Sequence, residues 1–316
     1  MALTLGYVGS KSSNLSGIVQ NWNAAPPSSD TNYQIHRPYQ FFNDPLRPSV
    51  PVRQFNALQA ILSGANAFYH GATISIDKRF SSGLGFGVFY VYSKATGESG
   101  GSQDGLPIQN PHNFKEGRGP LPFDRRQNFV ANFVYELPWL KTSKGLTGAV
   151  LGGWQVNGVV AYRSGFPFSV GQSDDLNTGG FTGVRPDRLA DGRLDNGNRQ
   201  LWFDPQAFRR VTCNIPSRPD LCHYGSSGVD ILNGPSQKNT DLSMFKNFRI
   251  PGGPEEMRLQ VRAEAVNALN TPYFGIPNSI GFLNSNSIVP DAARMGEIRT
   301  LETPMRTVQF GLKLTW

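Results

Sequence analysis

Residue types able to do chemistry are sparse in this chain of 316 residues, and their spacing argues against a reaction. The four histidines, His36, His70, His112 and His223, fall in stretches that read as loops, and none is paired at metal-ligand spacing. They are expected at the surface. Cys213 and Cys222 lie nine positions apart in a segment rich in Pro, Asn and Arg. Together with His223 they match no zinc spacing, so the pair is read as one short-range disulfide formed in an oxidising compartment. Gly83-x-Gly85-x-Gly87 suggests a phosphate loop, but it lacks the further glycine and the following helix of a dinucleotide site. It lies in an alternating strand and is expected to leave room inside a lumen. The run Asp187–Asn198 has oxygen ligands suited to calcium, yet it misses the EF-hand spacing and is read as solvated loop. No Ser/His/Asp or Cys/His set has catalytic spacing. The expectation is a protein that is not an enzyme and has no metal site and no cofactor.

The elements that would position any site read as strands. Hydrophobic residues make up 38% and aromatic residues 11%, which argues against disorder. Lys plus Arg number 30 against 23 Asp plus Glu, a net charge of +7, yet charged residues reach only 17%, below the roughly 25% of soluble domains. With 35 Gly and 23 Pro there are few windows for a helix of ~11 residues. That excludes a helical bundle and argues against a doubly wound α/β enzyme. The uncharged run Gly145–Tyr162 approaches the ~17–25 residues of a membrane helix, but its glycines, with Gln155 and Asn157, make it a poor one. It reads instead as a strand, with Val150, Trp154, Val156, Val160 and Tyr162 opposite Gln155, Asn157 and Arg163. Met1–Ser10 has no basic region followed by an apolar run and no cleavage site. The expectation is either a cytoplasmic protein or the later part of an exported one.

Period-two alternation recurs at the ~9–11 residues of a tilted membrane strand. Over Arg126–Leu137, Phe129, Ala131, Phe133 and Tyr135 oppose Arg126, Asn128, Asn132 and Glu136. Over Met257–Asn267, Met257, Leu259, Val261, Ala263 and Ala265 oppose Arg258, Gln260, Arg262 and Glu264. The terminal run sets Val308, Phe310, Leu312, Leu314 and Trp316 against Thr307, Gln309, Lys313 and Thr315. Further strands read at Leu3–Gly9, Gln54–Leu62, Ala72–Phe80, Leu84–Lys94 and Thr240–Ile250, about nine in all. Connections alternate short and long, the longest being Gly171–Asn239, which is the wiring of an outer-membrane barrel with periplasmic turns and extracellular loops. The polar faces then line a wet lumen, with Arg126, Asn128, Asn132, Gln155, Asn157, Arg163, Arg258, Gln260, Arg262 and Glu264 as lumen-facing candidates, read mainly as a hydrating charge ladder. Phe80, Tyr92, Tyr135, Trp139, Tyr162, Phe166 and Trp316 near strand ends suit interfacial girdles. Counting back from a periplasmic carboxyl terminus, nine strands leave Ser10–Arg53 on the short-turn side. Either one strand near Gln54–Leu62 is overcounted or that segment is an excursion. The arginines of the longest loop, Arg185, Arg188, Arg193, Arg199, Arg209, Arg210 and Arg218, suit an anionic lipopolysaccharide or acidic ligand. They are not interleaved with stacking aromatics, so nucleic acid is not expected.

At the chain end Gly311, Leu314 and Trp316 satisfy a Gly-x-x-apolar-x-aromatic pattern that resembles the β-signal read by the barrel assembly machinery, with Phe310 where a polar residue is usual. Longer stretches resemble the carboxyl-terminal barrel of the Oar-like TonB-dependent transporters of acidobacterial type. They are Leu5-Gly6-Tyr7-Val8-Gly9-Ser10-Lys11, Asp77-Lys78-Arg79-Phe80-Ser81, Tyr90-Val91-Tyr92-Ser93-Lys94, Phe123-Asp124-Arg125-Arg126, Gly152-Gly153-Trp154-Gln155, Arg185-Pro186-Asp187-Arg188, Asp241-Leu242-Ser243-Met244-Phe245-Lys246-Asn247-Phe248 and Arg262-Ala263-Glu264-Ala265-Val266-Asn267-Ala268-Leu269-Asn270. They follow family order across nearly the whole chain. The resemblance implies a barrel of about 22 strands around an amino-terminal plug, energised by a TonB system. It also implies that this chain, 1–316, is the carboxyl-terminal part of such a receptor, without plug, TonB box or first strands, and with 171–239 as a long extracellular loop.

The expected fold is thus all-β, an antiparallel transmembrane β-barrel represented by a partial barrel of about nine strands with long extracellular loops. The expected location is the bacterial outer membrane. The expected function is uptake of a bulky nutrient such as an oligosaccharide, peptide or metal chelate. Expected partners are outer-membrane lipid and lipopolysaccharide, the barrel assembly machinery, and the TonB system through the plug. The alternatives are a non-transporting adhesin or export conduit, and a soluble all-β carbohydrate-binding protein.

Overall fold

Strand after strand in this chain carries apolar side chains at every second position, and each needs neighbours to satisfy its backbone groups. The computed structural model describes residues 1–39, 55–98, 108–139, 145–173, 175–179, 183–250, 257–281, 295–302 and 305–316. Eight long strands form the main sheet: β1 (Ala2–Val19), β2 (Ala60–Ser81), β3 (Leu84–Gly97), β4 (Gln127–Glu136), β5 (Gln155–Arg163), β6 (Gln237–Arg249), β7 (Arg258–Val266) and β8 (Thr307–Thr315). Each pairs antiparallel with its neighbour in sequence, giving a continuous meander. The two-residue strand Gly119–Pro120 extends the pairing at the far end of β3. The sheet is not closed, and β1 and β8 are its edges.

Two expected strands merge. Ala72–Phe80 and the end of Gln54–Leu62, from Ala60 on, belong to one strand, β2, of 22 residues; 55–59 precede it as irregular chain, and Gln54 itself lies outside the described residues. The small residues between them, Gly64 and Asn66, interrupt the apolar period, but pairing with β1 from Ile18↔Ile61 to Ala2↔Asp77 carries the strand through. With one strand fewer, the connection after β1 lies at the same end as the other long ones, so the count that misplaced Ser10–Arg53 is corrected. The short connections occupy the opposite end. Between β2 and β3 the turn is Ser82-Gly83, with φ of 54° and 79°. Two successive positive φ values make the primed turn whose twist matches flanking strands. Gly83 is therefore a turn residue and not part of a strand.

Val150 is also placed otherwise than expected. Gly145–Leu151 forms a short helix, α1, and β5 begins only at Gln155. Gly145 and Gly153, at φ 78° and 75°, bracket it. The Lys246 ammonium donates to the carbonyls of Ala149 and Gly152, partners that the last turn of a helix otherwise lacks.

The register sorts every strand into two faces. One ladder row runs Lys78↔Phe86↔Phe133↔Gly158↔Leu242↔Ala265↔Val308. It starts beside the short turn of β2 and ends at the other end of β8, so the strands are strongly staggered, as inclined barrel strands are. Positions in phase with this row include Leu3, Leu5, Ile74, Ile76, Val88, Tyr90, Phe129, Val160, Met244, Leu259, Phe310 and Leu312. The positions between them carry the polar side chains. Phe310 and Leu312 are 83% and 75% exposed, so none of the described residues covers this part of the apolar face. The buried core lies instead in the long connections. Phe168, Val170, Phe203, Phe208, Leu232 and Met295 form its largest cluster.

Candidate functional site

Two regions hold polar groups in organised form: the polar face of the sheet and the long connections beyond it. On the sheet, Asn132, Gln155, Asn157, Arg258, Gln260, Arg262 and Glu264 all lie in the polar phase, as do Asn128 and Arg163, which are directly paired. They form cross-strand and same-strand contacts. Gln155 Nε2 donates to Asn157 Oδ1 at 3.2 Å, and Gln260 Nε2 donates to Asn247 Oδ1 at 3.1 Å. Arg262 Nη1 stands 3.7 Å from Glu264 Oε1, and Glu264 also accepts from Gln309. Arg126 lies one residue before β4, and its Nε donates to Asp124 Oδ2 at 2.9 Å. Asp124 is buried and takes the Ala95 N–H at 2.7 Å, so Arg126 anchors a loop end.

Near the short-turn end a depression of about 520 Å³ is bordered by Asp77, Arg79, Gly85, Gly87, Asn132, Glu136 and Gln155. A Cβ on Gly87 would stand 3.2 Å from Asp77 Oδ1 and from Asn132 Nδ2. The missing side chain at Gly87 is thus what opens the space between them.

At the chain end Leu314 joins the apolar face opposite Leu259, and Trp316 follows β8 with 81% exposure. Gly311 lies on the polar face beneath Arg262, whose Nε would be 2.7 Å from a Cβ there.

The four long connections, 20–59, 98–126, 164–236 and 267–306, interlock through their described residues, and the third is the hub. It bonds the first through Ala25 N to Thr178 O (3.0 Å) and Ser28 N to Leu176 O (3.1 Å). It meets the second through Gln109 Nε2 to Gly225 O (2.7 Å). Its strand Gly171–Gln172 pairs parallel with Ile280–Gly281 of the fourth. We refer to this assembly as the cap.

Three buried arginines brace the cap. Arg37 donates from Nη1 to Asn23 O and Asn56 O, and from Nη2 to Gly179 O across 142 positions of sequence. Arg185 donates to Ser227 O at 2.8 Å and to Glu116 O at 3.1 Å, tying the second connection to the third. Burial pushes its guanidinium pKa down, against the opposing pull of Glu116 and Asp230. Arg210, only 1% exposed, is held by Asp175. Spacing gave no signal for these roles, because the partners are distant in sequence.

Asp187, within the run proposed as a solvated loop, is buried. It accepts from Arg209 Nη2 at 2.7 Å, His223 Nε2 at 3.1 Å and Ser226 N at 3.2 Å. Burial works to raise its carboxyl, but these donors outweigh it and hold the group below the usual carboxylate range. Asp230 is the opposite case, raised by burial despite the Ser169 hydroxyl at 2.8 Å.

The other loop arginines are also engaged within the cap. Arg188 and Arg193 flank Asp191, Arg199 donates to Ile298 O, and Arg218 pairs with Asp220. Cys213 and Cys222 are joined by a disulfide, packed with Leu176, Val184 and Val211.

Three histidines lie in the connections: His36 beside Asp30, His112 edge-on to Trp22, and His223 on Asp187. His70 does not. It belongs to β2, paired with Gly9 and Lys94, and its Nδ1 meets Tyr7 Oη at 2.7 Å. Among the described residues no three His, Cys, Asp or Glu side chains are grouped to hold a metal.

A family model described as an outer membrane beta barrel domain matches residues 1–309. No curated protein and no solved structure matches the chain.

Proposed function

The chain belongs to the outer membrane beta barrel domain family, a protein of the bacterial outer membrane, and from that premise we propose that it serves as the carboxyl-terminal barrel segment of a TonB-dependent receptor. In this reading it takes up a bulky nutrient such as an oligosaccharide, a peptide or a metal chelate. The observation that carries the reading is the union of a polar sheet face with a packed cap at one end. Porous walls need only short loops, whereas capture of a large ligand needs a shaped surface held above the lumen.

The open edges support a wider wall. Hydrocarbon supplies no partner for the backbone groups of β1 and β8, each unsatisfied group costing several kcal/mol. β1 has 18 residues and β8 has 9, so β8 alone leaves half of β1 unpaired. Further strands at these edges fit the family resemblance.

A non-transporting adhesin or export conduit is the second reading, favoured by the amount of packed structure the cap presents outward. The soluble alternative conflicts with the outer-membrane location and with the uncovered apolar face.

The test is energised uptake in the native organism. Labelled oligosaccharides, peptides and metal chelates are offered to wild-type cells, to a deletion of this gene, and to wild-type cells with the proton gradient dissipated. Loss of one ligand's uptake in both of the latter supports import. Uptake unchanged by the deletion, with surface attachment lost, replaces it with the adhesin reading.

A further inference from the structure

On the apolar face, the apolar runs are followed at the cap end by basic side chains. In phase with that face stand Lys11 on β1, His70 on β2, Lys94 on β3 and Lys238 on β6. Arg125, two residues before β4, and Arg306, one before β8, continue the same alternation. Acidic side chains are absent from this face among the described strand residues. Asp77, Glu136, Asp241 and Glu264 all lie in the opposite phase. None of the six basic residues pairs with a carboxylate among the described ion pairs. Their recorded contacts are with rings, carbonyls and, for His70, the Tyr7 hydroxyl. Lys11 lies over Phe68 at 5.8 Å, Arg125 over Phe166 at 3.7 Å, and Arg306 donates to Ala268 O at 3.3 Å.

The two lysines of this face nearest the other end are different. Lys78 donates to Ser81 O and Lys246 to the carbonyls of Ala149 in α1 and of Gly152 just after it, so both serve the protein's own backbone. The cap-end cations also contrast with the loop arginines, whose partners lie inside the cap. Positive charge without a carboxylate partner among the described residues is therefore concentrated at one height on the lipid-facing surface, beside Tyr7, Tyr92 and Tyr162. At that height lie lipid headgroups, and an all-cationic row without acids is complementary to phosphates there.

We propose that Lys11, Lys94, Arg125, Lys238 and Arg306, with His70, form an outer belt that binds the phosphate groups of an anionic glycolipid, the lipid A part of lipopolysaccharide, in the leaflet on the cap side. This rests on the outer-membrane location and not on transport. The basic residues point outward to lipid; the ligand site of the transport reading lies on the other face and in the cap.

The full-length protein, purified in detergent from outer membranes, is placed in phosphatidylcholine nanodiscs. These contain bis-phosphorylated lipid A or the same lipid with both phosphates removed, and bound lipid is counted by native mass spectrometry. The wild type should retain the phosphorylated lipid preferentially. Lys11→Gln/Lys94→Gln/Lys238→Gln should weaken retention about fivefold per charge, roughly 100-fold in all. Lys11→Arg/Lys94→Arg/Lys238→Arg should keep it, which separates charge from folding. Equal retention of both lipids by the wild type overturns the proposal, as does full discrimination by the glutamine variant. Displacement by millimolar inorganic phosphate also overturns it, since the site would then take a free anion. Because no energy source is present, failure here leaves the transport reading standing, and loss of uptake elsewhere leaves the belt standing.

Discussion

Phe310 offers a direct measure of whether lipid covers the apolar face. It lies near the middle of β8, opposite Ala263 of β7, with 83% of its surface free of protein. A phenylalanine has roughly 200 Å² to bury, so about 170 Å² is left for lipid. At roughly 25 cal/mol per Å² that contact contributes about 4 kcal/mol. Phe310→Ala should remove about 3 kcal/mol of it, and Phe310→Arg should cost about 6 kcal/mol once the ~2–4 kcal/mol for a cation on the lipid face is added. Gln309, one position earlier, lies on the polar face beside Glu264. Gln309→Arg should change stability by less than about 1 kcal/mol. The assay is urea unfolding in phosphatidylcholine vesicles, followed by tryptophan fluorescence and by heat-modifiable migration. If Phe310→Ala stays within about 0.5 kcal/mol of wild type, as a residue facing water does, the assignment of faces to lipid and lumen is wrong.

The cap makes further predictions. The Asp187 carboxyl is held low in the folded state, so its contribution is full above the unfolded carboxylate pKa of ~3.9 and is lost as pH falls through the folded value. Limited proteolysis should therefore begin to cut 164–236 below about pH 4, and Asp187→Asn should make the cap sensitive at neutral pH, at a cost of about 3 kcal/mol. Asp230 has the opposite sign: its carboxyl is raised by burial, so its penalty appears as pH rises through the folded value. Asp230→Asn should raise the melting temperature at pH 7 and leave it unchanged at pH 3, read by differential scanning calorimetry. Reducing Cys213–Cys222, or Cys213→Ser, should cost roughly 2.5 kcal/mol and speed cleavage within the third connection, measured with and without reductant. Arg210→Met leaves Asp175 without its main cation and should cost about 3–5 kcal/mol of cap stability, read by hydrogen exchange of 175–179 and 208–213.

Much of the sheet was legible in the chain because a strand's two faces alternate in sequence. Where solvent differs so sharply between faces, the alternation is imposed residue by residue. The segments Arg126–Leu137, Met257–Asn267 and 307–316 carry this pattern cleanly, and the strands found there end within a residue of the expected limits. The pattern failed where a neighbour and not the local sequence determines conformation. Gly64 and Asn66 hide the continuity of β2, and only pairing with β1 shows it. Val150 keeps the strand period but has no cross-strand partner, and a lysine from β6 holds it in a helix.

By itself the sequence determined the all-β class, the two-faced strands and the alternation of short with long connections, since these follow from local period and composition. Tertiary structure decided the strand count, the end at which 20–59 lies, and the packed state of the long connections. Arg185 and Arg210 read in sequence as loop cations suited to an anionic ligand, Arg37 carried no reading, and nothing local marks the three as buried. Their partners are carbonyls and carboxylates brought near only when four connections meet, and a contact across 142 positions leaves no spacing to read. The cationic belt was hidden for the same reason: Lys11, Lys94 and Lys238 stand far apart along the chain, and the ladder register alone places them on one face.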